Sequence, residues 1–128
     1  MEQRIFVEYT PFAQPRPRIS KFGTYDPAAK KKKELGFLIK QQWKDNLIDG
    51  PVELSLRFYM PIPKSLSKKK QAALVDQPHI KKPDIDNLIK AVIDTMSGIV
   101  IKDDKIIWKI KAEKFYSQFV GIEILINL

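Results

Sequence analysis

The chain has no cysteine, a single histidine, and no apolar run that approaches the roughly 18 residues needed to cross a bilayer. The first absence removes disulfides, thiolate catalysis and cysteine-based zinc sites, and it fits a reducing compartment. The last predicts a chain that does not enter a membrane. There is no internal repeat and no low-complexity segment, and Met1-Glu2-Gln3-Arg4 leads straight into a strand pattern, so a cytoplasmic location is expected.

What is present suits one folded unit. The 128 residues are 44% hydrophobic and 30% charged, which predicts a single domain over residues 1–128 with a buried core. Basic side chains number 23 against 15 acidic ones, and the resulting net charge of +8 draws the chain toward polyanions, nucleic acid first among them.

Period-two patterning over Ile5, Val7 and Tyr9 predicts a first strand, ended by Pro11. Residues 12 to 25 carry Pro15, Pro17 and Gly23 among Arg16, Arg18 and Lys21, which predicts an extended, basic arm or loop. Asp26-Pro27 is a helix start, with Asp as the cap and Pro at the first helical position. That helix should run to about Lys44 with Leu35, Leu38, Ile39, Gln42 and Trp43 near one face and Lys30 to Lys33 as a cationic first turn and a half. Val52, Leu54, Leu56, Phe58 and Met60 predict a second strand. Ser65 or Ser67 should then cap a short helix to about Val75 that carries Lys68, Lys69 and Lys70.

A third helix over about residues 84 to 97 buries Ile85, Leu88, Ile89, Val92, Ile93 and Met96 and finishes at Gly98. Beyond an Asp103-Asp104 turn, Ile106, Trp108, Ile110 and Ala112 alternate as one strand and Val120, Ile122, Ile124 and Ile126 as another, joined as a hairpin through Ser117-Gln118. Trp43 and Trp108 both fall on apolar faces and are expected in the core. The order β-α-β-α-α-β-β predicts an α+β domain with one mixed sheet of about four strands covered by helices. Within it the first strand-helix-strand unit should form a parallel pair and the terminal hairpin an antiparallel one.

The densest chemistry lies in Lys82-Pro83-Asp84-Ile85-Asp86-Asn87-Leu88-Ile89-Lys90, followed by Asp94 and then Asp103-Asp104. At 100° per residue, Asp86, Lys90 and Asp94 drift only about 40° per step of four and share one stripe opposite the apolar face. If the strand after Asp103-Asp104 packs beside this helix, several carboxylates converge, and a hard cation relieves their repulsion. An all-oxygen set without His or Cys favours Mg²⁺, with Mn²⁺ as substitute, over Zn²⁺. Each element also has a plain structural reading: Asp84 or Asp86 as a helix cap, Asp103-Asp104 as turn residues, Lys90 and Asp94 as a surface pair. His79, just upstream, reads as an ordinary polar residue.

The whole arrangement resembles the RusA family of Holliday junction resolvases, whose signature is Lys-Pro-Asp-x-Asp-Asn-Leu-x-Lys, an Asp four residues on, and a later Asp-Asp. Arg16-Pro17-Arg18 and Thr24-Tyr25 resemble family features too, and the spacing of elements agrees over nearly the full chain. The resemblance implies that Asp84, Asp86 and Asp104 are metal-binding acids with Asp103 beside them, that Lys90 is an essential lysine, and that Asp94 and Asp103 are supporting carboxylates.

It further implies an endodeoxyribonuclease that resolves four-way junctions by paired phosphodiester cleavage in recombination and repair, with no small-molecule cofactor. Two matched cuts from a chain with one acidic cluster imply a two-fold homodimer. Arg16, Arg18, Lys21, Lys30, Lys31, Lys68, Lys69, Lys70, Lys81 and Lys82 are the expected DNA contacts, made largely to phosphates. Two other readings stand beside this one: a non-catalytic basic DNA-binding or architectural module, and a nuclease for flaps or forks.

Overall fold

The computed structural model describes residues 2–16 and 18–128, apart from the side chain of Arg18. In chain order the elements are β1 (Glu2–Val7), β2 (Arg18–Ser20), β3 (Gly23–Tyr25), α1 (Ala29–Gln42), β4 (Val52–Pro61), α2 (Lys68–Leu74) and α3 (Ile85–Met96), then a 3-10 turn (Asp104–Ile106), β5 (Ile107–Ser117) and β6 (Gly121–Asn127). The class is α+β, with a mixed four-stranded sheet ordered β1-β6-β4-β5. Among the described residues no helix is long and apolar enough to cross a membrane.

Two expected pairings are overturned. β1 and β4 are not neighbours, because β6 lies between them and runs antiparallel to both. β5 and β6 form no hairpin, because β4 lies between them; β5 is parallel to β4. The compositions of the two strands explain the swap. Gly121 to Ile124 of β6 are all buried, so this strand needs a neighbour on each side. β5 carries exposed Lys109 and Lys111, side chains that suit an edge and discourage pairing with another chain. The short segment 118–120 crosses the end of β4 to link them.

The core lies between one face of the sheet and the helices. Ile5 and Val7 of β1, the alternate residues Val52 to Met60 of β4, and Ile122, Ile124 and Ile126 of β6 meet Leu35 and Ile39 of α1 and Leu88, Val92 and Met96 of α3. Trp43 joins this core, whereas Trp108 is 64% exposed, contrary to expectation. The register shifts between Val52 and Glu53, which pair with Ile107 and Lys109 and leave Trp108 as the extra residue of a bulge. Period-two reading fails wherever one strand of a pair gains a residue.

Local chemistry accounts for the helix ends. Ser67 caps α2, its side chain accepting from the Lys70 amide, and Gly98 follows α3 at φ +88°, a backbone region that favours glycine. The start of α1 differs from expectation: Ala28 occupies the cap without a side-chain bond, and Asp26 instead heads the preceding turn, accepting from the Ala28 amide at 2.9 Å. The basic arm contains the small antiparallel hairpin β2-β3, which composition alone did not predict.

Gly121 is the tightest backbone approach in the sheet. A Cβ there would sit 2.5 Å from the Phe6 ring and 2.9 Å from the Val7 carbonyl oxygen. The ring can turn aside but the carbonyl belongs to the β1 ladder. Gly121→Ala is therefore expected to lower stability by about 1–3 kcal/mol, the scale of overpacking, in urea unfolding. An unchanged midpoint would show that β1 yields freely.

Candidate active site

The mouth of α3 is held by the edge of the sheet. Residues 76–79 run beside β5, with Asp76 N–H donating to Tyr116 O (2.9 Å), Tyr116 N–H to Gln77 O (2.9 Å) and His79 N–H to Lys114 O (3.1 Å). Lys114 Nζ then donates to the carbonyls of Lys81 and Pro83, at 2.5 and 2.7 Å, which clamps the backbone immediately before Asp84. His79 is buried and tilted against Tyr116, and burial together with the charge of Lys114 holds its imidazole below the usual histidine range.

Asp84 sits at the cap position of α3, where its backbone carbonyl accepts from the Asn87 and Leu88 amides, but its carboxylate makes no capping bond. Asp86 follows in the first turn. Both side chains are exposed, and among the described residues neither carboxylate takes part in a hydrogen bond or an ion pair. The plain capping role thus does not occupy the Asp84 carboxylate.

One and two turns further along α3, Lys90 and Asp94 form an i, i+4 pair at 3.6 Å. Asp94 is shared: Lys32 Nζ of α1 stands 3.9 Å from the same oxygen and 2.5 Å from Asp26. Asp26 also accepts from Gln14 Nε2 at 2.9 Å, and the Gln14 amide donates to the Asn87 carbonyl at 3.0 Å. The basic arm, α1 and α3 are thereby linked around an open cleft of about 420 Å³ lined by Arg16, Asp26, Lys32, Asn87, Lys90 and Asp94, among others. Lys32 is held on two sides and 22% exposed, whereas the Lys90 side chain is 62% exposed and, among the described residues, held by Asp94 alone.

The ion pair with Lys32, the Gln14 amide and the Ala28 N–H hold the Asp26 carboxyl down to about 2, from 3.8. A depressed carboxylate contributes stability above its unfolded value and loses it as pH falls, here between about 3.8 and about 2. Carboxyl NMR should place the Asp26 midpoint near 2, and Lys32→Met should move it up toward 3.8. An unshifted midpoint in the variant would remove Lys32 as the cause.

Asp103 and Asp104 are carried by a buried segment. Val100 and Ile101 are wholly buried, and backbone bonds from Ile48 N–H to Val100 O and from Lys102 N–H to Ile48 O (both 2.9 Å) anchor the chain just before the two acids. Asp103 caps the 3-10 turn by accepting from the Lys105 amide at 3.1 Å. A hydrogen bond between the two carboxyls holds Asp103 below the ordinary carboxylate range, with the Lys105 amide adding to it. The same bond holds Asp104 above that range; the charges of Asp103 and Asp94 add to the rise and Lys90 opposes it. The start of β5 therefore lies within electrostatic reach of Lys90 and Asp94. Among the described residues, no three acidic or histidine side chains stand close enough to enclose a metal ion.

The expected DNA contacts divide by place. Arg16 lines the cleft, Lys30 and Lys31 are exposed on α1, and Lys81 and Lys82 are exposed just before α3. Lys21 belongs to the β2-β3 turn, and the Arg18 side chain lies outside the described residues. Lys68, Lys69 and Lys70 stand on α2, which packs near Ser117 to Val120 at the opposite end of β5 from Asp104. Sequence reasoning missed Gln14 and Lys114, and gave Asp26 only as a helix cap and Lys32 only as one of the cationic turn Lys30 to Lys33. The one available signal was that four consecutive lysines on a helix cannot all face water when a second helix packs beside them.

Carboxylates and lysines interleaved around an open cleft, on a small α+β domain with no cysteine and a net charge of +8, suit a polyanionic partner. The chain belongs to the RusA endodeoxyribonuclease family, whose description, Endodeoxyribonuclease RusA, matches residues 8–127. It is accordingly a nuclease, with DNA as its partner. It is also similar to the Bacillus subtilis (strain 168) protein YqaN, named only as uncharacterized, with 35% identity over 127 residues covering 91% of this chain and 89% of that one.

Proposed function

We propose that the protein is a Mg²⁺-dependent, structure-specific endonuclease that resolves four-way DNA junctions by paired cuts in recombination and repair. The observation that carries this reading is the pair of exposed, uncommitted carboxylates of Asp84 and Asp86 at a helix mouth, one turn before Lys90. Carboxylates left without hydrogen-bond or ion-pair partners at an exposed helix mouth are hard oxygen donors of the kind a divalent cation takes. Asp84, Asp86 and Asp104, with Asp103 beside them, would hold it, and Mn²⁺ would substitute for Mg²⁺. The ion supplies a more acidic water and charge neutralisation at the phosphate.

The chain's own residues do the remainder. Lys90 is positioned by Asp94 to stabilise charge that develops on the phosphate, and Lys32 draws on the same Asp94 oxygen, so that Lys90 is oriented without being locked. Arg16 in the cleft and the exposed Lys30 and Lys31 of α1 receive flanking phosphates, which makes affinity steeply salt-dependent. Paired cutting calls for a homodimer. The sheet face opposite the helices offers a surface for a second copy, with Phe6, Tyr59, Phe115 and Phe119 in one aromatic cluster, and a copy placed there leaves both clefts outward.

Cleavage rates on matched four-way, flap, fork and linear substrates, with and without Mg²⁺, test this directly. The four-way junction should be cut at symmetric positions and only with the metal. Equal rates on linear duplex would sink the junction assignment, and preference for flaps or forks would replace it with the other branched substrates.

A further inference from the structure

The β2-β3 hairpin does nothing for the core. Among the described residues, the hydrophobic cluster stops at Phe12 and resumes at Ala28. Its turn is nonetheless well built: Ser20 Oγ accepts from the Phe22 amide at 3.2 Å and donates to the Gly23 carbonyl at 3.1 Å, and Gly23 adopts φ +113°. The result is a presented tip on which Phe22 is 89% exposed and Ile19 85% exposed, with Lys21 Nζ 5.1 Å from the Phe22 ring. A connecting loop has no need of a nearly bare phenyl ring at its apex, and leaving one in water is unfavourable unless something covers it.

Both feet of the hairpin stand in the cleft described above. Gln14 is tied to the Asn87 carbonyl before it and Asp26 to Lys32 after it, and Arg16 and Asp26 line the cleft beside Lys90 and Asp94. Charge selects the occupant. No acidic residue occurs between Glu8 and Asp26, while Arg16, Arg18 and Lys21 do, so the partner that covers the tip is anionic as well as flat and apolar in part. A nucleobase attached to its phosphate strand meets all of these conditions, because every base offers a π-face and carries its charge alongside.

We propose that the β2-β3 hairpin is a base-stacking finger, in which Phe22, flanked by Ile19 and Lys21, packs on a base left unstacked at the branch point while that strand's backbone lies in the cleft at the finger's root. The inference rests on the reading of the chain as a nuclease for branched DNA, and it names the feature by which branched DNA is told from duplex. A continuous duplex offers no free base face, so the tip finds its partner only at an interruption of stacking. Four residue steps lead from Phe22 to Asp26, a reach of roughly 13 Å along an extended strand. At about 3.4 Å per nucleotide step, the stacked base lies within about four nucleotides of the phosphate in the cleft.

The test uses the whole chain carrying Asp84→Asn, which is expected to bind without cutting, and synthetic four-way junctions carrying 2-aminopurine at successive positions around the branch point. Binding should change the fluorescence of at least one base within about four nucleotides of the cut. Adding Phe22→Ala should abolish that change and weaken junction binding roughly tenfold, while Phe22→Trp keeps both. Linear duplex of the same sequence should be bound within about twofold by all three, since phosphate contacts dominate there. If Phe22→Ala preserves the fluorescence change and the preference for junctions, and the wild-type protein cuts junctions normally, the finger is wrong and the nuclease reading stands. Should Phe22→Ala instead alter the sedimentation of the free protein, the tip meets protein rather than a base, which also overturns the proposal. If the wild-type protein cuts no branched DNA, the parent reading falls and the finger with it.

Discussion

Replacing Asp84 with Asn is expected to reduce Mg²⁺-dependent cleavage of a four-way junction by roughly a thousandfold or more, on the scale of losing a group that organises transition-state charge. The prediction is sharp because the side chain has no other duty in the fold. Its carboxylate makes no capping bond, the helix start is held instead by the Asp84 backbone carbonyl, and Lys114 clamps the preceding turn. Asn keeps the shape and remains a good cap residue, so stability should change by no more than about 0.5 kcal/mol. Junction binding should persist, or tighten slightly, because one negative charge is removed from a surface that faces phosphate. The measurements are single-turnover cleavage, a gel-shift affinity and a thermal melt on the same preparation. Cleavage that survives the substitution would dismiss Asp84 as a metal ligand. Loss of folding would return it to a structural role.

Leu88→Ala should act in the opposite way, on the fold before the chemistry. Leu88 is wholly buried at the point where α3 meets the sheet, between the exposed Asp86 and Lys90 of the site. Truncation removes several buried carbons and leaves a cavity that the surrounding strands cannot collapse into. The expected cost is about 3 kcal/mol, within the usual span for such changes. For a chain of this size that lowers Tm by roughly 10 °C. Below the new midpoint the folded fraction should still cut, so a variant that melts early yet keeps most of its rate separates packing from catalysis. A Tm within about 2 °C of wild type would mean that α3 is not seated on the sheet through this residue.

Much of this was legible from residues alone, for a reason that particular elements make clear. β4 alternates without a break from Val52 to Met60, so its burial pattern follows from its own period; α3 buries Leu88, Val92 and Met96 as its spacing predicts, but Ile85, Ile89 and Ile93 are only half-buried and Ala91 and Thr95 are buried instead. Ser67 caps α2 because a hydroxyl one residue before a helix reaches the amide three residues on. The stripe of Asp86, Lys90 and Asp94 is likewise a property of one helix, and the observed pairing of Lys90 with Asp94 needs nothing outside α3.

Whatever depends on a second element was out of reach. Trp108 alternates correctly within β5, and only the bulge against β4 turns it to solvent. The apparent terminal hairpin is a hairpin in sequence distance, but β6 is buried from Gly121 to Ile124, its Glu123 held by Arg4 of β1, and it lies between two neighbours, so β4 separates it from β5. Asp26 reads as a cap until α1 and α3 pack together and Lys32 reaches across to Asp94. By itself, then, the sequence determined the three helices and the four strands of the main sheet, where α3 places its acids and lysine, and that the chain is drawn to polyanions, because periodicity and charge are local and additive; the β2-β3 hairpin, which has too few residues to show a period, it did not. The tertiary structure alone decided strand order, the exposure of Trp108, the Gln14-Asp26-Lys32-Asp94 link and the Lys114 clamp, because each is a contact between residues far apart in the chain whose meeting is settled only by how the core closes.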